Sequence, residues 1–399
     1  MEGRRSTARR SNPNICLAAA EAFSAERKHR PALCEAANQW FLCLRTHGTL
    51  NSSLISTYWK ETKEWRPTAN VELHFLLSVS LASREQQERE EAFLIEQDPF
   101  RGNAYKLIVK MTQLTSEAGG GTTHLLDEML HSIFFLGKVN EPTFSPESIL
   151  LDEEVLTELK KLFPRAFELF SSHLPRRSPF SCVLDMIVLL KGREGEILSG
   201  LRELIIGLEL GDSRELISST LCVSHRTDIR NPVKYYGVSM AAPSAIAPKK
   251  GPFPRRFVIA ASCLYYWDEY IAGAVLTYYP TKQKKQDYDG TIQLPQWVRC
   301  QAFSLSQEEE TPPCLSCSNL FGLRTNSNDE WVYGNCGEVE SLSNLFKTEG
   351  DVKQRARPTS PLYSDERRDH YKREMCKDLI NCLRQKEFTW REGDFYIPP

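Results

Sequence analysis

The stretch VKYYGVSM, residues 233–240, decides the fold, because strand-forming sequence replaces helix-forming sequence near this point. It is rich in valine and tyrosine, which favour β-strands. Three later stretches have the same character: RRFVIAASCLYYW at 255–267, AGAVLTYY at 272–279 and WVRCQAF at 297–303. We predict a strand in each of the four, with a hairpin loop at the polar segment 281–290, TKQKKQDYDG.

Upstream of this stretch, apolar residues recur every three or four positions, which is the spacing of an amphipathic helix. The segments that show this spacing are 12–45, 71–97, 123–136, 152–170 and 194–210. The spacing returns downstream of residue 310, around Val339–Phe346 and Met375–Leu383. Strands followed by helices favour a mixed sheet with helices packed against it.

Two regions follow from this change of pattern. We predict that residues 1–220 form a mostly helical region, which serves as a scaffold or binds a partner. We predict that residues 221–399 form a domain of the α+β or α/β class, in which helices cover a mixed sheet.

The composition is that of a globular protein, with 41% hydrophobic and 26% charged residues and a net charge of −2. So small a net charge creates no overall field that favours nucleic acid or an anionic membrane. No apolar run approaches the roughly 20 residues of a membrane span, and no apolar signal core follows the basic first residues. We therefore expect an intracellular protein, cytoplasmic or nuclear, with no membrane partner.

Two short cysteine motifs lie in the second region. Cys314 and Cys317 form a Cys-x-x-Cys pair preceded by proline, and Cys336 precedes Glu338 by two residues. The Cys-x-x-Cys spacing lets two thiolates bind one ion from a single turn, and Zn²⁺ favours thiolate ligands in tetrahedral geometry. Both motifs are predicted at helix N-termini, where the helix dipole favours the thiolate. Three thiolates would leave the fourth zinc position open for water.

These motifs together resemble the signature of the zinc-dependent cytidine deaminase superfamily. In that family one helix begins with His- or Cys-x-Glu and another begins with Pro-Cys-x-x-Cys. The family has the two elements in that order, whereas this chain has them in the reverse order. The resemblance implies that Cys314, Cys317 and Cys336 bind Zn²⁺ and that Glu338 transfers protons. It also implies that residues 221–399 form a deaminase-like α/β domain, and that the reaction is hydrolytic deamination of a cytosine- or adenine-type base in a nucleotide or nucleic acid.

Two other interpretations of the cysteines remain open. A closed structural zinc site could be completed by Cys300, Cys376 or His370, and such a site does no chemistry. Without a metal, the cysteines would be small buried hydrophobes, and Glu338 would only stabilise the helix through its dipole. The alternative function is then a non-enzymatic scaffold protein whose helical region binds a protein partner.

A second group of polar residues falls on one face of the helix predicted at 123–136. His124, Glu128 and His131 are spaced by four and three residues, which does not match the metalloprotease H-E-x-x-H motif. We predict an ordinary core or surface helix there.

Overall fold

The computed structural model describes residues 99–119, 121–140, 142–210, 215–240, 255–307 and 309–399, with side chains from residue 258 in the fifth range. All described residues belong to one compact unit, Glu90–Pro399. The helices predicted at 12–45 and 71–97 lie outside the described residues. The domain boundary predicted at residue 220 stays a prediction.

Seven helices precede the first strand in the described residues. They are α1 (Pro99–Ala118), α2 (Thr123–Val139), α3 (Pro146–Ile149), α4 (Glu153–Leu162), α5 (Pro164–Leu169), α6 (Pro179–Lys191) and α7 (Glu194–Gly207). The structure confirms the helices predicted at 123–136 and 194–210. The segment predicted at 152–170 is helical but interrupted, because Pro164 has no N–H to continue α4 and instead begins α5.

The rest of the described chain alternates strands and helices. The elements are β1 (Thr220–Arg226), β2 (Tyr235–Val238), α8 (Arg255–Leu264), α9 (Glu269–Leu276), β3 (Val298–Ser304), β4 (Glu310–Thr311), α10 (Leu315–Phe321), α11 (Gly337–Thr348), α12 (Gly350–Arg355) and α13 (Asp365–Arg384). In the described residues, no helix combines the length and the apolar character needed to cross a membrane.

Two of the four predicted strands are helices. The segments 255–267 and 272–279 form α8 and α9 instead, whereas β2 and β3 confirm the other two strands. In α9 every residue from Ile271 to Leu276 is buried, so the apolar run carries no period that separates a strand from a helix. Asp268 starts this helix by accepting the N–H of Tyr270. The segment 281–290 is a loop, but it follows a helix and joins no hairpin.

The sheet is antiparallel throughout rather than mixed. Its strand order is β2-β1-β3-β4, and every neighbouring pair is antiparallel. Short connections join β1 to β2 and β3 to β4, and such connections give antiparallel pairs because a parallel pair needs a long crossover. The architecture is therefore helical with a small four-stranded sheet, which fits the α+β part of the predicted class.

Helix α11 covers one face of this sheet and also caps its β2 edge. The Glu340 carboxylate accepts the N–H of Val238 at 2.9 Å, and the Asn344 amide donates to the carbonyl of Tyr236 at 3.1 Å. These two groups point away from β1 and would otherwise be unpaired. At the opposite edge, β4 has only two residues and prolines follow it, which also limits pairing with another strand.

Glycine allows α11 to approach the sheet closely. A Cβ atom on Gly237 of β2 would lie 2.4 Å from the backbone nitrogen of Ser341 and 2.5 Å from the carbonyl oxygen of Gly337. No side chain fits at this position. The Ser341 hydroxyl lies 2.8 Å from the hydroxyl of Ser224 on β1. The first turn of α11 is thereby fixed against the sheet.

Candidate metal centre

Cys314 begins helix α10. Its backbone is extended, with φ −71° and ψ 166°, and its sulfur accepts the N–H of Cys317 at 3.5 Å. The helix is short because Gly322 adopts φ +66°, a left-handed conformation that ends the helix. The Cys-x-x-Cys pair thus occupies the first turn, as predicted from the sequence.

Cys336 precedes helix α11, but its side chain makes no capping hydrogen bond. Its backbone is extended, with φ −83° and ψ 150°, and Gly337 is the first helical residue. Gly334, two residues earlier, has φ +93°, a conformation that glycine adopts without strain. This turn brings the chain back from α10, so both cysteine motifs start helices at one place.

The three sulfur atoms converge. The ligand atoms of Cys314, Cys317 and Cys336 all lie within 4.8 Å of one another, and the sulfurs of Cys314 and Cys336 are 3.5 Å apart although 22 residues separate them. In a tetrahedral zinc site with Zn–S bonds of about 2.3 Å, two sulfurs lie about 3.8 Å apart. The cluster can therefore hold a metal ion, and its size suits zinc.

Hydrogen bonds among the thiols prepare one of them to ionise. Thiol donors from Cys317 and Cys336 lower the pKa of Cys314 to about 2. The pKa of Cys317 is raised well above its usual value because its thiol pairs with Cys314 and Cys336, and because it is buried. The pKa of Cys336 is raised mainly by its pairing with Cys314. Metal binding would replace the shared protons, since thiolates are the binding form.

Glu338 lies beside this cluster without joining the ligand set. It sits in the first turn of α11 and is only 4% exposed. Burial raises its pKa to about 7, opposed by a hydrogen bond from its own backbone N–H and by contact with the Cys317 thiol. A buried carboxyl group next to the sulfurs is placed to exchange protons with a molecule bound there.

The residues considered as a fourth ligand lie elsewhere. The sulfur of Cys300 is 3.5 Å from that of Cys222, across β1 and β3. Cys376 lies beside Tyr265, and His370 is exposed beside Tyr371. Among the described residues, no further histidine, cysteine or carboxylate joins the three thiols. A tetrahedral ion bound by the three sulfurs would therefore have no fourth protein ligand among the described residues.

Two of the three polar residues of α2, Glu128 and His131, are buried in the core. Arg177 donates to the Glu128 carboxylate at 2.7 Å, and His131 stacks against Tyr396 with ring centroids 3.9 Å apart. His124 is exposed. These three residues are not among the clustered candidate metal ligands found in the described part of the chain.

Sequence reasoning missed the residues that support the metal centre from the sheet. Cys222, Ser224 and Gly237 lie under the first turn of α11, and none of them belongs to a recognisable motif. Gly237 carried the one usable signal, because glycine inside a strand often marks a close backbone approach.

No protein-family model matches this chain, and no curated protein or solved structure shows significant similarity to it. The resemblance to zinc deaminases therefore rests on the two sequence motifs alone.

Proposed function

We propose that this protein is a zinc-dependent hydrolytic deaminase that acts on a cytosine- or adenine-type base in a nucleotide or nucleic acid. The observation that carries the proposal is the convergence of three thiols from two helix N-termini, with a buried carboxyl group beside them. Three protein ligands with one open position are typical of catalytic zinc, whereas structural sites use four.

Each residue has a role in this proposal. Cys314, Cys317 and Cys336 hold the ion. Bound zinc would supply a water molecule acidified enough to attack at neutral pH. Glu338 takes a proton from that water and passes it to the leaving amino group. The water oxygen becomes bonded to the ring carbon, the carbon–nitrogen bond breaks, and the products are a carbonyl base and ammonia.

The scaffold alternative has two forms. A closed structural zinc site would need a fourth protein ligand, and the described residues supply none within reach of the three sulfurs. A scaffold whose cysteines are buried without a metal remains the alternative function. A protein partner for the helical region is compatible with either function and is part of the proposal only as a separate binding role.

Zinc analysis with ammonia release tests the proposal. We expect one zinc per chain, lost when Cys314, Cys317 or Cys336 is changed to Ser. As a matched control, Cys382→Ser should keep its zinc, because Cys382 lies on α13. Cytidine, its monophosphate, a single-stranded oligonucleotide and the corresponding adenine compounds would be the substrates.

The variant Glu338→Gln separates binding from chemistry. It should keep zinc and lose about 10²–10⁴-fold in deamination rate, which is the usual contribution of a general acid–base group. Protein without zinc, or a Glu338→Gln variant as active as the wild type, would refute the proposed mechanism.

A further inference from the structure

Asn335, the residue directly before Cys336, has a buried amide oxygen with no hydrogen-bond partner. Buried carbonyl oxygens in proteins nearly always have a partner, so an unpaired one calls for an explanation. The other such side-chain atoms in the described residues belong to α1, α2, Arg176 and Tyr265. Asn335 alone among them adjoins a proposed zinc ligand.

The backbone of Asn335 is held on both sides. Its N–H donates to the carbonyl of Val332 at 3.2 Å, and its carbonyl accepts the N–H of Met240 at 2.7 Å. The preceding Gly334 packs closely, since a Cβ there would lie 3.2 Å from Val275. The residue is therefore fixed in place while its side-chain oxygen is left for another donor.

The proposed reaction would bring such a donor to the ligand that adjoins Asn335 in the chain. The ring carbon must reach the open position beside the three sulfurs, and the amino group is bonded to that carbon. Consecutive Cα atoms are about 3.8 Å apart, so the Asn335 side chain starts one residue from the Cys336 ligand. On cytosine and adenine, the exocyclic amine is the N–H donor attached to the reacting carbon.

We propose that the Asn335 side-chain oxygen accepts a hydrogen bond from the exocyclic amine of the substrate base, and that this contact distinguishes substrate from product. Deamination replaces the amine with a carbonyl oxygen. Two acceptor oxygens then face each other, so the product is bound more weakly than the substrate. This inference rests on the proposed deaminase function.

The variant Asn335→Ala tests it in zinc-loaded protein. The KM for cytidine should rise at least tenfold, while the inhibition constant of uridine stays the same or falls. Adenosine and inosine are the matching pair for an adenine enzyme. Asn335→Asp retains an acceptor and should keep the preference for the amine. An unchanged ratio of the two constants in Asn335→Ala would overturn the inference while leaving the deaminase function intact.

Thermal unfolding provides a readout independent of activity. If the oxygen has no structural partner, Asn335→Ala and Asn335→Leu should unfold at the wild-type temperature or above. A fall of more than about 3 °C would show that the amide stabilises the fold, for example through a trapped water, and would also overturn the inference. A wild-type protein that deaminates no base refutes the proposed function, and this inference with it.

Discussion

Two regions bury ionisable side chains: the metal centre, and a cluster in which Tyr396 packs against Asp127 and His131 of α2. Only the metal centre has a residue that is partly exposed. Cys336 is half-buried, whereas Asp127, His131 and Tyr396 are at most 2% exposed. These last three residues are called the α2 polar cluster below. The metal centre can therefore accept a ligand from outside, whereas the α2 polar cluster is enclosed by the protein, with Asp127 Oδ1 and His131 Nδ1 left without a hydrogen-bond partner.

The α2 polar cluster is closed by the C-terminal segment. The Tyr396 hydroxyl donates to Asp127 at 2.8 Å, and its ring lies nearly parallel to that of His131. Leu174 donates to the carbonyl of Asp394 at 3.0 Å and accepts the N–H of Tyr396 at 2.9 Å. The segment is thus held by backbone as well as side-chain contacts.

Buried polar side chains therefore have different roles in the two regions. In the α2 polar cluster, the cost of burying Asp127 and His131 is offset by aromatic packing and by the tyrosine hydroxyl. In the metal centre, crowded thiols share protons until an ion replaces them. Variants of Tyr396 should therefore change stability without changing zinc, and variants of the thiols should change zinc.

The largest expected effect comes from Tyr396→Ala. Removing a fully buried aromatic ring costs about 3–5 kcal/mol in the free energy of unfolding, and here it also leaves both oxygens of Asp127 without a partner. Urea denaturation measures the loss, and zinc per folded chain should stay at the wild-type value. A loss below about 1 kcal/mol, or zinc loss from the folded variant, would mean that the two regions are not separate.

Metal removal should have the next largest effect. A ligand that binds only the folded state stabilises it by about 2.7 kcal/mol at one hundred times its dissociation constant. A chelator should therefore lower the melting temperature of the wild type and of Tyr396→Phe, while Cys336→Ser should not respond. An equal response in Cys336→Ser would show that the chelator acts elsewhere.

The smallest expected effect is on the pH dependence of the free energy of unfolding, in which the contributions of two residues of the α2 polar cluster cancel. Burial lowers the pKa of His131 from 6.5 to about 3, so its contribution to stability is present above pH 6.5 and is lost as the pH falls. Burial raises the pKa of Asp127 from 3.8 to about 6, so its contribution grows as the pH falls from 6 to 3.8. Between these two values the effects oppose each other.

The variant Asp127→Asn should reveal the pH dependence of stability that His131 causes. Between pH 6 and 4 the variant should lose about 1.4 kcal/mol more per pH unit than the wild type, measured as the free energy of unfolding in urea. Adding His131→Gln should remove this slope. Parallel stability curves for Asp127→Asn and the wild type would contradict the opposed-pair explanation. The nearby charges of Glu128, Arg165 and His173 are the same in both proteins.

The sequence predicted local structure better than long-range contacts. The 3–4 spacing identified α2, α7 and α11, and the two cysteine motifs were correctly placed at helix starts. It failed at α8 and α9, because a helix buried on every side has no polar face to show its period. The tyrosine and valine of these segments led to the prediction of strands, although the segments are helices.

Convergence of the thiols and closure of the α2 polar cluster were beyond sequence reasoning. Asp127 and Tyr396 are 269 residues apart, and no local pattern reports a contact of that range. The meeting of Cys314 with Cys336 depends on the turn at Gly334 and on the close packing at Gly237. Gly334 does not differ in sequence from a glycine in an ordinary loop, and Gly237 indicated a close backbone approach without indicating which helix makes it.

Helix α11 covers a strand edge that could otherwise pair with another molecule. The Glu340 and Asn344 side chains that pair with β2 belong to the helix whose first turn carries the third thiol. If that turn loosened from the sheet, an unpaired strand edge would be presented to neighbouring molecules. If the proposed ion is bound, its retention and the protein's resistance to aggregation would depend on the same helix.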